Sequence, residues 1–318
     1  MLIQLLLAAA GLVLLTVAAD HLVVGSSRLA ARMRIRPVVV GVVVIGIGTS
    51  MPEFLVSGVA AARGEAGIAL GNLIGSNILN LTLILGIAGL IARIGFASTV
   101  IRREVPLAVA GTVLFAALAW TGLTVVTGVV LAVAGGAALW LLVRWAGDSR
   151  NGELAEEAVE CVAEAPAGPG GSARFEPLRA VLGLAGVLVG AQLLVVNASA
   201  IAAGLGVSPL VIGFTLVALG TSLPELVTTV QAQRRGESEL VIGNLFGSNL
   251  FNSLIGGTVV SLAAPAGIGA ANGLLLLLMV LTSLAAWGLL VRGMVLTRAE
   301  GALLLAAYLA TVPLLLTA

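Results

Sequence analysis

Charged residues and nitrogen or sulfur ligands are scarce in this chain of 318 residues. It has one cysteine, one histidine and no lysine, which excludes a disulfide framework and a Cys/His metal site. Only 10% of its residues are charged, against about 25% in soluble domains. A net charge of +1 argues against a nucleic-acid partner. The whole chain is 59% hydrophobic, with a mean hydropathy of +1.16, a composition typical of a membrane protein.

Long apolar stretches dominate the sequence. A helix that spans a bilayer needs about 20 apolar residues. Ten such stretches can be drawn, at 2–26, 37–62, 67–92, 105–120, 123–144, 178–203, 209–233, 240–263, 272–291 and 299–317. The first follows Met1 without a basic segment or a cleavage signal, so we expect a retained helix and not a signal peptide. The sequence therefore predicts an all-α membrane protein with ten transmembrane helices.

Two stretches of the chain repeat each other. Residues 41–80 read GVVVIGIGTSMPEFLVSGVAAARGEAGIALGNLIGSNILN, and residues 213–252 read GFTLVALGTSLPELVTTVQAQRRGESELVIGNLFGSNLFN. The offset is 172 residues without a gap, since Glu53 aligns with Glu225 and Asn80 with Asn252. A carboxylate in an apolar segment indicates a functional site by default. The same carboxylate in the same context in both halves makes that interpretation much stronger.

Arginine placement predicts how the chain crosses the membrane. With the N-terminus outside, 15 of the 16 arginines fall in inside loops and only Arg63 falls outside. Because each half has five spans, an odd number, the second half enters from the opposite face. The fold class is thus ten transmembrane helices arranged as two inverted-topology five-helix repeats. Secondary transporters have this architecture, with their site near the bilayer midplane where the repeats meet.

The polar stretch between the fifth and sixth helices divides the chain. It carries an acidic run, Glu153–Glu164, followed by PAGPGGS, which favours a short helix and a flexible linker. The acidic run lacks the D-x-[DN]-x-[DN]-G pattern of a calcium loop, so a solvated linker helix is favoured over a calcium sensor. We expect a first repeat at 1–145, a cytoplasmic linker at 146–177 and a second, inverted repeat at 178–318. Short loops favour a bacterial inner membrane, with both termini outside.

The Gly-Thr-Ser-x-Pro-Glu motif predicts a helix break inside the membrane. Pro52 has no N–H, so the carbonyl of Gly48 loses its helical partner. We expect Ser50 or Thr49 to cap the half-helix that follows, with Pro52 in its first turn. Irregular backbone at this depth is tolerated only in buried protein or against a cavity. Freed carbonyls, hydroxyls and a carboxylate, all hard oxygen donors, would converge there.

A second motif adds amides and hydroxyls to this set. Ser76 and Asn80 are four residues apart and share a helix face, as do Ser248 and Asn252. The G-x-x-x-G spacing before them lets helices approach closely, although these polar residues could instead serve interhelical hydrogen bonding. Ca²⁺ takes about 6–8 oxygen ligands, and Na⁺ accepts the same donor types. One Ca²⁺ would neutralise both glutamates, whereas more than one Na⁺ would have to bind to do so. A site that must be filled by one ion species or the other predicts an exchanger.

These motifs strongly resemble the sodium/calcium exchangers of the Ca²⁺/cation antiporter superfamily, of the prokaryotic type with two α-repeats. The resemblance rests on GTSMPE…GNLIGSNILN and GTSLPE…GNLFGSNLFN and, with the topology, covers nearly the whole chain. It implies alternating-access exchange of Na⁺ for Ca²⁺, with no cofactor. The implied ion ligands are Glu53, Glu225, Thr49, Thr221, Ser50, Ser222, Ser76, Ser248, Asn80, Asn252 and the carbonyl of Ala218.

Departures from the family pattern bear on the coupling ion. Some prokaryotic exchangers carry Asp at the place of Asn252, and the potassium-dependent branch tends to carry Asp at these positions. The proton/calcium branch tends to have an acidic residue shortly after Gly-Asn, where this chain has Leu73 and Leu245. These differences favour Na⁺ over K⁺ and H⁺.

Three alternatives stay open at this point. An H⁺/Ca²⁺ antiporter could use the same two glutamates, and a channel would conduct without a counter-ion. An intramembrane enzyme is disfavoured, because the one histidine and the one cysteine lie outside the polar cluster. Asp20, whose repeat mate is Gln192, is expected to serve helix packing or gating. The expected partners are Ca²⁺, Na⁺ and the lipid bilayer, without nucleic acid or an obligate protein partner.

Overall fold

The computed structural model describes residues 1–32, 46–95, 98–146, 176–235, 238–264 and 266–316. The predicted acidic linker helix lies outside the described residues. So do the side chains of Asp20 and Thr49, although the backbone of both residues belongs to described helices.

Helices make up nearly all of the described structure. The first half forms α1 (Leu2–Arg32), α2 (Gly46–Thr49), α3 (Met51–Ala62), α4 (Ala66–Leu79), α5 (Leu85–Ile91), α6 (Ser98–Thr121) and α7 (Val125–Ala146). The second half forms α8 (Glu176–Leu205), α9 (Pro209–Ile212), α10 (Ala218–Thr221), α11 (Leu223–Arg235), α12 (Ser238–Phe251), α13 (Gly257–Ala263), α14 (Gly273–Gly293) and α15 (Arg298–Leu316). Each of the ten predicted apolar stretches overlaps one of these helices.

Several helices join end to end into longer rods. Three π turns make the joints: π1 (Asn80–Ile84) between α4 and α5, π2 (Gly213–Val217) between α9 and α10, and π3 (Asn252–Gly256) between α12 and α13. Among the described residues, six helical stretches are long and apolar enough to cross a membrane, or seven with the bent pair Pro209–Thr221 and Leu223–Arg234. The fold is thus that of an α-helical membrane protein.

Burial separates central helices from peripheral ones. The apolar window of the rod Ala66–Ile91 is 78% buried and that of Val241–Ala263 is 72% buried, whereas that of Val125–Trp145 is 22% buried. A helix that is apolar all round and mostly exposed faces lipid. The rods that carry Ser76, Asn80, Ser248 and Asn252 therefore form the centre of the protein, enclosed by lipid-facing helices.

Short strand pairings tie the two halves together at their edges. β1 (Ile94–Gly95) pairs antiparallel with β2 (Val295–Leu296), so the connection after α5 meets the connection before α15. A single bridge between Leu123 and Ile268 joins the α6–α7 connection to the segment after α13. By the 172-residue offset, the segment of β1 corresponds to that of Ile268 and the segment of β2 to that of Leu123, so the two pairings are counterparts of each other in a repeated chain.

Small residues allow two close helix contacts. α1 packs along α8, where a Cβ added at Gly11 would lie 2.9 Å from the carbonyl oxygen of Gly190. α4 packs on α9 and π2, where a Cβ added at Gly71 would lie 2.5 Å from the carbonyl oxygen of Leu210. The close approach predicted for G-x-x-x-G is confirmed in the first half. The residues that would correspond to α9 by the repeat offset, 37–40, lie outside the described part of the chain.

Candidate functional site

Two helix breaks of the same shape lie at the centre of the fold. Ser50 separates α2 from α3 with φ −86° and ψ 3°, and Ser222 separates α10 from α11 with φ −85° and ψ 9°. Pro52 lies in the first turn of α3, as predicted. The second break bends the chain by 48°. The Gly-Thr-Ser-x-Pro-Glu motif therefore produces the expected interruption in both halves.

The capping role predicted for Ser50 is wrong. Its side chain makes no cap hydrogen bond to α3. Its hydroxyl donates instead to Oε1 of Glu225 at 3.4 Å, and the hydroxyl of Ser222 donates to Oε1 of Glu53 at 3.0 Å. A cap accepts from the N–H groups of the first turn, and Pro52 removes one of them. A carboxylate is a strong acceptor for the hydroxyl proton, which favours the contact to the other half. Each serine at a break thus bonds the glutamate of the other half.

Two further serines join the same cluster. Oγ of Ser76 lies 3.2 Å from Oγ of Ser222, and since the one hydroxyl proton of Ser222 goes to Glu53, Ser76 is the donor in this pair. Ser248 donates to Oε1 of Glu225 at 3.4 Å. Both glutamates are fully buried, and the Oε2 atom of each has no hydrogen-bond partner among the described residues. Buried polar atoms are normally paired, so two carboxylate oxygens without a partner indicate a site that binds a ligand.

The two asparagines predicted as ligands lie at the start of matched π turns. Asn80 begins π1 and Asn252 begins π3. The Oδ1 of Asn80 has no partner among the described residues, and neither polar atom of Asn252 has one. Single π turns inside helices occur frequently at functional sites. The sequence analysis did not predict these turns, since no residue type marks them.

Asn72 is a second feature that the sequence analysis missed. Its Nδ2 donates to Oγ of Ser57 at 2.9 Å, and its Oδ1 accepts from the hydroxyl of Thr221 at 3.1 Å. Thr221 is a predicted ligand on the other half of the chain, so Asn72 links the halves. The repeated Gly-Asn that precedes Gly-Ser-Asn in both motifs was the signal that could have pointed to it.

The carbonyl of Ala218 is engaged within its own helix break. It accepts from the N–H of Ser222 at 3.0 Å. The hydroxyl of Thr221 lies 3.3 Å from it, but the one proton of that hydroxyl has a nearer acceptor in Oδ1 of Asn72 at 3.1 Å. A ligand role for Ala218 stays a prediction. Hydrogen bonds join six of the predicted residues into two groups of three, Glu53 with Ser222 and Ser76, and Glu225 with Ser50 and Ser248. Thr221, Asn80 and Asn252 lie on adjoining turns.

The chemistry of this cluster is that of hard oxygen donors. No group of three or more His, Cys, Asp or Glu side chains occurs within the described ranges, so the cluster contributes two carboxylates and several neutral oxygens. Such donors suit Ca²⁺ and Na⁺ and do not suit the transition metals that prefer thiolate or imidazole. Two matched halves that meet at a buried polar site inside a helical membrane protein define a secondary transporter.

Comparison with known proteins identifies the family. The chain matches the sodium/calcium exchanger protein family over residues 3–144 and 176–317, and it belongs to that family. The two matched segments leave out the stretch between the halves, in which the linker was predicted. The protein is therefore a cation antiporter of the family that exchanges Ca²⁺.

Relatives support this assignment over most of their length. The inner membrane protein YrbG of Escherichia coli is 36% identical over 77% of this chain and 75% of its own. The sodium/calcium exchanger MaX1 of Methanosarcina acetivorans is 29% identical over 76% of this chain and 78% of its own. A solved structure of the sodium-calcium exchanger NCX_Mj is 32% identical and covers 98% of this chain and 99% of its own, with a TM-score of 0.66.

Proposed function

We propose that this protein exchanges Na⁺ for Ca²⁺ across a membrane by alternating access, with the ions bound where the two repeats meet. The observation that carries the proposal is the pair of crossed contacts, Ser222 to Glu53 and Ser50 to Glu225, which leave one oxygen of each buried glutamate without a partner among the described residues. The proposed ligand set is Glu53, Glu225, Thr49, Thr221, Ser50, Ser222, Ser76, Ser248, Asn80, Asn252 and Ala218.

Charge balance explains why such a site would couple two ions. Buried carboxylates are costly when they are charged and unpaired. One Ca²⁺ balances Glu53 and Glu225 together, and Na⁺ balances them when more than one is bound. Either load would leave the site electrically neutral, so that the protein could switch the site from one membrane face to the other. The empty site carries two buried charges and would change conformation poorly, which prevents leak without exchange.

The helices α1 and α8 are suited to be the moving elements. They pack along each other through small residues, since a Cβ added at Gly186 would lie 2.7 Å from Cβ of Ala18. Smooth surfaces of this kind allow helices to slide past one another. α1 also reaches the second break, where a Cβ added at Gly220 would lie 2.6 Å from Cδ1 of Leu12. Sliding of this pair would therefore alter access to the cluster.

Cross-linking tests this motion. The Nε of Arg63 donates to Oε1 of Gln192 at 3.2 Å, so α8 meets the end of α3 there. Because the tips of two long side chains meet here, cysteines at these positions need a short bifunctional thiol linker and not a direct disulfide. We expect that this linker abolishes exchange in Arg63→Cys with Gln192→Cys, in a Cys161→Ser background, and that a monofunctional thiol reagent does not. The matched control is Leu123→Cys with Ile268→Cys, which joins the paired connections without holding α8. Intact exchange in the cross-linked Arg63/Gln192 variant would show that α8 does not move during transport.

The membrane placement is part of the proposal. We place the first repeat at 1–145, a cytoplasmic linker at 146–177 and the inverted second repeat at 178–318, in a bacterial inner membrane with both termini outside. The distribution of the arginines, 15 of 16 on one side, supports this orientation. Cysteine labelling from either side would decide it at two exposed positions that this topology places on opposite faces, Thr124 between α6 and α7 and Gly293 at the end of α14.

The function is tested by Ca²⁺ uptake into proteoliposomes that are preloaded with Na⁺. We expect uptake that follows the outward Na⁺ gradient and is unaffected by a pH gradient alone. Uptake that ignores Na⁺ and follows the pH gradient would instead identify an H⁺/Ca²⁺ antiporter. Ca²⁺ flux without any counter-ion would identify a channel and overturn the proposal.

A further inference from the structure

The orientation of one proposed ligand is fixed by a chain of amides that lies outside the proposed ligand set. The Nδ2 of Asn80 donates to Oδ1 of Asn249 at 3.0 Å, and the Nδ2 of Asn249 donates to the backbone carbonyl of Asn77 at 2.8 Å. Asn80 and Asn249 are both buried, at 0% and 1% exposure. Neither side chain therefore has bulk water as an alternative partner.

The polarity of this chain follows from its last member. A backbone carbonyl can only accept, so the Asn249 atom that faces Asn77 must be the Nδ2 donor. The other atom, Oδ1, must then face Asn80, and it can only accept. Asn80 must meet it with Nδ2, which leaves the Oδ1 of Asn80 on the opposite side. That oxygen has no partner among the described residues.

The second half has the same asparagines and lacks this chain. By the repeat offset Asn252 would bond the side chain of Asn77. The Nδ2 of Asn77 donates instead to the carbonyl of Leu73 at 2.7 Å, and its Oδ1 accepts from the hydroxyl of Ser253 at 3.4 Å. Both polar atoms of Asn252 stay without a partner in the described part of the chain.

The sequence differs at the residue beside these asparagines. Ser253 corresponds to Leu81 in the first half. Leu81 has no side-chain donor, so it does not compete for the Oδ1 of Asn249. Ser253 has one hydroxyl proton, and its oxygen lies 3.4 Å from the Oδ1 of Asn77 and 3.4 Å from Oγ1 of Thr112. Asn77 therefore has a neighbouring donor where Asn249 has an apolar side chain, and its own Nδ2 is bonded to Leu73.

We propose that Asn249 is a positioning residue that turns the carbonyl oxygen of Asn80 toward the transported ion, and that Asn252, which has no such partner in the described part of the chain, can reorient. This inference rests on the proposed function, since it assumes that Asn80 is a ligand. It makes the two halves of the site unequal: Asn80 presents an oxygen permanently, whereas Asn252 presents an oxygen or an amide N–H according to the load.

The test compares repeat mates in Na⁺-driven Ca²⁺ uptake by the full chain. Asn249→Ala should raise the Ca²⁺ concentration for half-maximal uptake roughly 10-fold, the usual effect of losing a residue that orients a metal ligand, with little change in maximal rate. Asn77→Ala is the matched control, because it retains the backbone carbonyl that Asn249 uses. Equal effects of the two substitutions would overturn the inference.

A double-mutant cycle separates positioning from general structural damage. If Asn249 acts through Asn80, then Asn249→Ala combined with Asn80→Ala should be no worse than Asn80→Ala alone. Additive losses would show that Asn249 supports the fold and not the ligand. A wild-type chain without Na⁺-driven uptake would overturn the proposed function itself, an outcome distinct from either of these.

A second pair of variants covers the case in which Asn249→Ala does not fold. Asn80→Asp replaces the donor that faces Oδ1 of Asn249 with an acceptor, so two acceptors would meet in a buried site. Asn252→Asp meets no fixed partner among the described residues. We expect Asn80→Asp to raise the half-maximal Ca²⁺ concentration more than Asn252→Asp does. Equal or reversed effects would contradict the proposed asymmetry.

Discussion

The two halves of the buried cluster have the same key residues and make different hydrogen bonds. Ser222 is 3.0 Å from Oε1 of Glu53, whereas its repeat mate Ser50 is 3.4 Å from Oε1 of Glu225. Asn72 bonds Ser57, whereas Asn244 bonds Thr228, one position before the residue equivalent to Ser57. The repeated sequence determines which groups meet, and the conformation determines how they pair.

This inequality is what an inverted-repeat transporter requires. A fully symmetric arrangement of two inverted repeats would treat both membrane faces alike and would open equally to each. Access from one side at a time requires the repeats to differ in any one state and to exchange their differences on switching. The unequal pairs within the cluster are therefore expected features of one state of the cycle.

The largest expected effect comes from replacing the glutamate that each half contributes to the site. Glu53→Gln and Glu225→Gln should each lower Na⁺-driven Ca²⁺ uptake by about 100-fold or more, because removing one charge from a buried ionic site is worth about 3–5 kcal/mol. Glu65→Gln, a carboxylate at the end of the same α3–α4 hairpin, is the matched control and should retain uptake. Activity in either of the first two variants would show that the site does not need both halves.

A smaller effect should distinguish the serines at the two breaks. Ser222→Ala removes a hydrogen bond to a buried carboxylate, worth about 1.5–3 kcal/mol, and should raise the half-maximal Ca²⁺ concentration by roughly 10-fold or more. Ser50→Ala removes a longer contact and should have a lesser effect. Uptake titrations of both variants check this order. Equal shifts would mean that the difference in hydrogen-bond length between the two serines does not affect Ca²⁺ transport.

The smallest effect should appear in stability. Asn72→Ala removes hydrogen bonds to the buried hydroxyls of Ser57 and Thr221, of which Thr221 retains the longer contact to the carbonyl of Ala218, and should lower the free energy of unfolding by about 1–3 kcal/mol. Asn244→Ala removes one described contact, from Nδ2 to Thr228 at 3.1 Å, and should cost about 0.5–1.5 kcal/mol. Thermal unfolding of both variants in detergent measures the difference. A larger loss for Asn244→Ala would reverse the comparison.

Much of the architecture could be predicted because it depends on composition and repetition. Each predicted apolar stretch overlaps a helix, and the breaks occur at Ser50 and Ser222, where proline removes a backbone donor. Glu53 and Glu225 are buried together, as the duplication of an intramembrane carboxylate indicated. These features follow from local rules that hold wherever the motif occurs.

The errors and omissions concern which partner a polar group chooses. Ser50 or Thr49 was expected to cap α3, but the hydroxyl of Ser50 bonds the glutamate of the other half, which only the packed structure brings within reach. The π turns at Asn80 and Asn252 have no residue signature. The bond from Asn249 to Asn77 joins residues 172 positions apart, a pairing that local spacing does not specify.

Competition between the two ions at equilibrium tests the central claim, that one site formed by both halves binds either Ca²⁺ or Na⁺. The measurement is Ca²⁺ binding to the purified full chain over a series of Na⁺ concentrations. We predict that the apparent Kd for Ca²⁺ rises continuously with Na⁺, without a plateau, and that the number of Ca²⁺ bound at saturation does not change. A Kd that levels off or ignores Na⁺ would place the two ions at separate sites and contradict the account.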